Sequence, residues 1–273
     1  MAFSIASGSN QQHIWVPVLA GQTIYTGSLV SVDVAAPLEG VMPLQVAVGA
    51  SNTTNKDIPL GVVVGNNNIS ANNVFSTTYK TDYITAAAAG AAYNSTTQYQ
   101  GVEGPWAKGD PIAMVKVAVI DPCTILRGSL FNAAVGTAPT EATVTVGSGT
   151  DGIGCTSTAV EVASVANLAT LYARSGKNRG TYRTLTSAST TAHVWLQAMY
   201  KDMEIGDKIV VVGLRPWGPC LCYIHVSGLY IDTSATAATN TWCIHVVRLD
   251  LSEAGKEYVE FRFDTDHFCA VRA

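Results

Sequence analysis

Apolar residues in this chain come in short runs that are repeatedly cut by Gly, Pro, Asn or Asp, and this punctuation restricts the chain to strands joined by tight turns. Leu60-Gly61-Val62-Val63-Val64-Gly65 stops at Asn66-Asn67-Asn68, and the run 112–120 starts after the turn Lys108-Gly109-Asp110-Pro111. Residues 24–32 have the form of two strands broken at Gly27. Further strands are expected at 182–186, 193–199, 208–214, 220–226, 242–249 and 257–263. No window approaches the roughly 18 consecutive apolar residues that a spanning helix requires, so no membrane role is expected.

The expected fold class is therefore mainly β: two β-rich lobes of small-barrel or sandwich type with one short helix between them. Val162, Val165, Leu168 and Leu171 recur at three-residue spacing, which predicts that helix over 158–173, with Gly176 as its stop. Residues 136–150 are rich in Gly, Ala, Thr and Pro and read as a connector. The domain reading is an N-terminal β domain at 1–140, a Gly/Thr-rich linker at 141–157 and a C-terminal β domain at 158–273 led by the helix. A chain of 273 residues is compatible with one large β domain or two smaller ones, and either arrangement can bury a full core.

Charged residues make up only 13% of the chain, against about 25% in an ordinary soluble domain. Gly, Ser, Thr, Asn and Ala take their place, a composition suited to extensive protein contact. The net charge of −4 argues against a direct nucleic-acid partner, because such proteins display strongly basic surfaces. Met1-Ala2-Phe3-Ser4-Ile5 lacks the basic start and apolar stretch of a secretory signal, so that route is not expected. Cys123, Cys155, Cys220, Cys222, Cys243 and Cys269 are then expected as unpaired thiols, packed as small hydrophobes.

Each motif with catalytic or binding potential has a simpler reading. Gly147-Ser148-Gly149-Thr150-Asp151-Gly152 has dinucleotide-fingerprint spacing, but Arg174 and Ser175 stand where an acidic residue is needed and no βαβ alternation surrounds it. Cys220-x-Cys222 and Cys243-x-His245 would put each pair on one sheet face, and a fortunate register would make a zinc tetrad of them; thiol and imidazole packing is the simpler account. His193 and His225 read as buried, hydrogen-bonded histidines. Asp202, Glu204 and Asp207 beside Lys201 and Lys208 read as a solvated turn. No nucleophile elbow or recognisable triad context appears, so no enzymatic activity, metal or cofactor is expected.

Arg174, Lys177, Arg179 and Arg183 form the one local basic concentration in an acidic chain. Two readings stay open for them: a solvated loop, or an electrostatic contact with an acidic patch on a neighbouring subunit.

The stretch Leu19-Ala20-Gly21-Gln22-Thr23-Ile24-Tyr25-Thr26-Gly27-Ser28-Leu29-Val30, followed by Pro59-Leu60-Gly61-Val62 and Ala107-Lys108-Gly109-Asp110-Pro111, resembles head structural proteins of tailed bacteriophages, the capsid decoration or cement proteins. Residues 171–183 and Met203-Glu204-Ile205-Gly206-Asp207-Lys208-Ile209 are similar to structural proteins of the same phages. The resemblance implies a non-enzymatic homo-oligomeric virion protein, assembled in the host cytoplasm onto the capsid surface. Its partners would be the capsid protein and copies of itself. It implies no particular functional residues. Alternative roles are another virion component (tail tube, tail-associated protein or major capsid subunit) or a carbohydrate-binding adhesive β module, for which Trp106 and Trp217 are the candidate aromatics.

Overall fold

Alternation of inward apolar and outward polar residues produces the strands, and Gly-containing turns reverse them. The computed structural model describes residues 2–8, 12–32, 40–44, 58–68, 75–86, 113–132, 138–148, 152–160, 169–233 and 242–268. The first half contributes β1 (Ser4–Ser7), β2 (His13–Pro17), β3 (Thr23–Tyr25), β4 (Leu29–Val32), β5 (Val41–Pro43), β6 (Ile58–Asn66), β7 (Phe75–Ser76), β8 (Thr81–Thr85), β9 (Met114–Val119) and β10 (Ile125–Phe131). The second contributes β11 (Glu141–Val146), β12 (Gly154–Ser157), β13 (Thr170–Ala173), β14 (Tyr182–Ala188), β15 (Ala192–Trp195), β16 (Lys208–Val212), β17 (Gly218–Cys222), β18 (Ile231–Asp232), β19 (Trp242–Asp250) and β20 (Tyr258–Phe263). A 3-10 turn, Thr265–Phe268, is the one helical element among the described residues. The chain is mainly β.

These strands form a six-stranded sheet ordered β1-β10-β20-β19-β17 with β18 beside β10, and a closed barrel ordered β11-β12-β15-β14-β13-β16. A five-stranded sheet, β2-β9-β6-β4-β5, and a three-stranded one, β3-β8-β7, complete the fold. Gly27 turns β3 into β4 with a φ of +87°, which L side chains rarely adopt.

Residues 141–157 are not a linker. β11 and β12 lie inside that stretch as two staves of the barrel. Composition concealed an alternation there: Ala142 and Val144 are fully buried, and Glu141 and Thr145 are exposed. The boundary expected near residue 140 separates no two sets of sheets either, because β1 and β10 share their sheet with β17, β19 and β20.

The helix expected over 158–173 ends in a strand. Residues 161–168 lie outside the described part, but Thr170–Ala173 pairs antiparallel with both β14 and β16. All four of its residues are buried, Leu171 among the barrel interior and Tyr172 in the core beside the six-stranded sheet. β16 does the same, with Ile209 and Val211 inside the barrel and Val210 and Val212 outside it in that second core. A strand buried on both faces reads as a continuous apolar run, which periodicity cannot distinguish from a buried helix.

That second core joins the molecule. It runs from Leu29 and Val62 of the five-stranded sheet through Trp242 and Phe261 of the six-stranded sheet to Val210 and Val212 of the barrel. Polar bonds reinforce it between distant segments: Ser28 Oγ donates to the Ser227 carbonyl at 2.8 Å, and the Leu29 amide to the Gly228 carbonyl at 2.7 Å. The six-stranded sheet spends one face on this core. Its other face, carrying Arg127, His245, Glu260 and Arg262, is turned outward.

Candidate functional site

The basic concentration lies on the β13–β14 hairpin, and the fold disperses it. Arg174 turns inward: its side chain is only 6% exposed, pairs with the fully buried Glu257, reaches Glu141 at 3.4 Å and donates to the Leu251 carbonyl at 2.8 Å. Arg183 is half-buried, donating to the carbonyls of Gln197 and Ala198 and lying 5.1 Å over the Tyr200 ring. Arg174 is therefore committed to the interior, which corrects the solvated-loop reading for that residue, while Arg183 is tied to the neighbouring segment 197–200. Lys177 and Arg179 remain at the surface, Lys177 in an exposed pair with Glu204 and Arg179 with no ion pair among the described residues.

The hairpin loop is locked to the segment 196–207. Asn178 is buried and grips Lys201 from both sides, accepting from its amide at 3.0 Å and donating to its carbonyl at 2.8 Å. Asp207, also buried, accepts from the Glu204 amide at 3.0 Å and packs against Gly176. Lys208 donates to Thr143 Oγ1 at 2.6 Å. The Asp207 carboxylate thus closes the turn at 204–207, and Lys208 ties β16 to β11. Gly176 has a φ of +73°, and a Cβ there would strike the Asp207 carboxylate. Gly176→Ala should lower stability by more than about 1 kcal/mol, read as a shifted denaturant midpoint with unchanged slope. On this locked end Leu196, Tyr200 and Ile205 are 72%, 77% and 76% exposed.

Where the sequence placed histidine and cysteine chemistry, the geometry decides each case. His193 Nε2 and Ser157 Oγ are 2.8 Å apart inside the barrel wall. Because Ser157 gives its only proton to the Thr158 carbonyl, the imidazole must be the donor in that contact, so the pair is not a serine activated by a base. Burial lowers the His193 pKa to about 4. His225 is half-buried and stacks on Tyr230 at 4.5 Å, with Nδ1 2.9 Å from Ser227 Oγ.

Cys220 and Cys222 face the core, while Leu221 opposite Cys243 and Pro219 opposite His245 put Cys243 and His245 on the outer face. That register divides the zinc tetrad weighed from spacing between two sides of the sheet. Cys123, Cys155, Cys220, Cys222 and Cys243 are all free thiols. Burial pushes Cys155 up to about 12 and Cys222 well above the ordinary thiol value, which holds both protonated. The glycine motif at 147–152 leads from β11 toward β12, its antiparallel neighbour, where a dinucleotide site needs a helix; residues 149–151 lie outside the described part.

A surface not singled out from the sequence lies on the outer face of the six-stranded sheet. Cys123, Ile125, Trp217, Gly218, His245 and Val247, together with Arg262, line a groove of about 430 Å³. The register of β19 against β20 shifts between Val246 and Arg248. This bulge puts Val247 and Arg248 outward in succession, so an apolar side chain enters a face that alternation alone would have made polar. Trp217, 70% exposed at the groove, was visible in the sequence only as an isolated aromatic beside Gly and Pro. Trp106 lies outside the described residues.

No family model matches this chain, and no curated protein or solved structure matches it significantly.

Proposed function

We propose that this chain is a non-enzymatic virion protein that binds and stabilises the shell of a tailed-bacteriophage head as a decoration protein. The observation that carries the reading is the locked end of the barrel, where Leu196, Tyr200 and Ile205 stand exposed beside Lys177 and Arg179. Large apolar side chains held on a rigid body and bordered by charge suit attachment to another protein, since exposed apolar patches mark interaction surfaces. The phage-head resemblance of 171–183 and 203–209 falls on the same end of the molecule. Bound in many copies at the capsid surface, the chain would gain avidity from weak individual contacts.

The test is co-sedimentation with shells assembled from the major shell protein of the same virus, across a range of salt concentrations. A Lys177→Ser, Arg179→Ser double variant should attach more weakly and show a flatter salt dependence, because exposed cations act mainly through screened encounter. Its stability should stay within about 0.5 kcal/mol of the parent, since exposed pairs contribute little. Superimposable salt curves would remove the loop from the interface, and recovery of the wild-type chain only in the supernatant would refute shell attachment.

A carbohydrate-binding module is the second reading, favoured by the exposed indole of Trp217 in its groove. Binding to soluble oligosaccharides with quenching of indole fluorescence would support it.

A further inference from the structure

The three arginines on the outer face of the six-stranded sheet differ in one respect. Arg127 donates through Nε to Glu260 at 3.0 Å, and Arg248 donates to Asp250 at 2.9 Å. Both guanidiniums also lie over the Tyr258 ring, at 4.4 and 5.6 Å. Arg262, directly opposite His245 on β19, is exposed and has no carboxylate partner among the described residues. It stands in the groove with Trp217, Ile125 and Val247. An exposed indole, a free guanidinium and an apolar floor in one concavity are the components from which protein docking sites draw most of their energy.

The chemistry of the lining selects the occupant. A sugar presents a hydroxyl at nearly every carbon and needs several donors and acceptors, whereas the polar side-chain groups of this lining are the His245 imidazole, the Arg262 guanidinium, the Trp217 indole N–H and the Cys123 thiol, a set rich in donors and poor in acceptors. A groove of about 430 Å³ accommodates a few protein side chains. The unneutralised cation asks for a carboxylate, and a guanidinium binds one bidentately.

We propose that this groove is the docking site for a segment of the shell protein that presents an apolar side chain to Trp217 and an Asp or Glu carboxylate to Arg262. The inference rests on the shell-attachment reading and adds a second contact face, on a different sheet from the barrel loops.

The exposed thiol of Cys123 reports on the groove in the unmodified protein. Full-length chain, free and bound to shells assembled from the major shell protein of the same virus, is treated with iodoacetamide and each cysteine is quantified by mass spectrometry. Buried Cys155, Cys220 and Cys222 serve as internal references. Shell binding should slow alkylation of Cys123 by about tenfold or more, because reactivity follows access to the thiolate. In parallel, Trp217→Ala should weaken attachment by roughly thirtyfold, and Arg262→Gln should weaken it less while flattening its salt dependence. Both side chains are exposed, so circular dichroism and thermal midpoints should match the parent.

Attachment of wild type with Cys123 still fully reactive, or with both variants binding as the parent does, overturns the docking site and leaves shell attachment standing. Failure of the wild-type chain to bind shells overturns both. Protection of Cys123 by soluble oligosaccharide in place of shells assigns the groove to sugar and likewise overturns the proposal.

Discussion

Arg174→Ala should destabilise the protein by about 3–5 kcal/mol, because it strands the Glu257 carboxylate in a site with no exposure of its side chain. Among the described residues Glu257 Oε2 has no hydrogen-bond partner and Arg174 is the cation that balances the group. The same guanidinium holds the Leu251 carbonyl at 2.8 Å and reaches Glu141 on the barrel, and so ties the end of β13 to the segment that leads into β20. Equilibrium denaturation measures the loss. An Arg174→Met, Glu257→Leu double variant should recover most of it, since a buried ion pair can be replaced by apolar side chains at little cost once neither charge remains. A loss below about 0.5 kcal/mol for Arg174→Ala would show that the pair is hydrated and dispensable.

Acid should weaken the barrel through His193. The ring is 1% exposed, its Nε2 proton is directed to Ser157, and Nδ1 has no partner among the described residues, so protonation would create a charged N–H facing no acceptor among them. Its pKa is about 4 in the fold, lowered by burial from an ordinary 6.5. The unfolded chain therefore takes up the proton first as pH falls. Neutral burial of His193 is fully compatible with stability above pH 6.5, and stability declines from there down to about pH 4, where the folded ring also protonates. The accumulated loss is about 3 kcal/mol. His193→Gln should reduce the slope of unfolding free energy against pH in this window. Parallel slopes for the two proteins would show that the imidazole is hydrated in the native state.

How much was legible follows from the range over which each signal acts. The strand runs at 24–32, 60–65, 242–249 and 257–263 were readable because alternation and turn residues are local properties of the chain. The basic loop was readable as a charge cluster, but its division into two structural arginines and two surface cations was not. Inward rotation of Arg174 depends on Glu257, a residue far along the chain that only the sheet brings near.

Local signals in the chain were enough for a weakly charged, mainly β protein with turn-bounded strands, since each of these follows from residue type and near neighbours. Tertiary structure alone decided that 141–157 belongs to a barrel, that Thr170–Ala173 is a strand, and that β1 and β10 share a sheet with β20. It also decided that a bulge at Val247 opens an apolar groove around Arg262. Apolar residues buried on both faces of a strand carry no periodicity to betray them, and register between distant strands is set by the packing of the whole core.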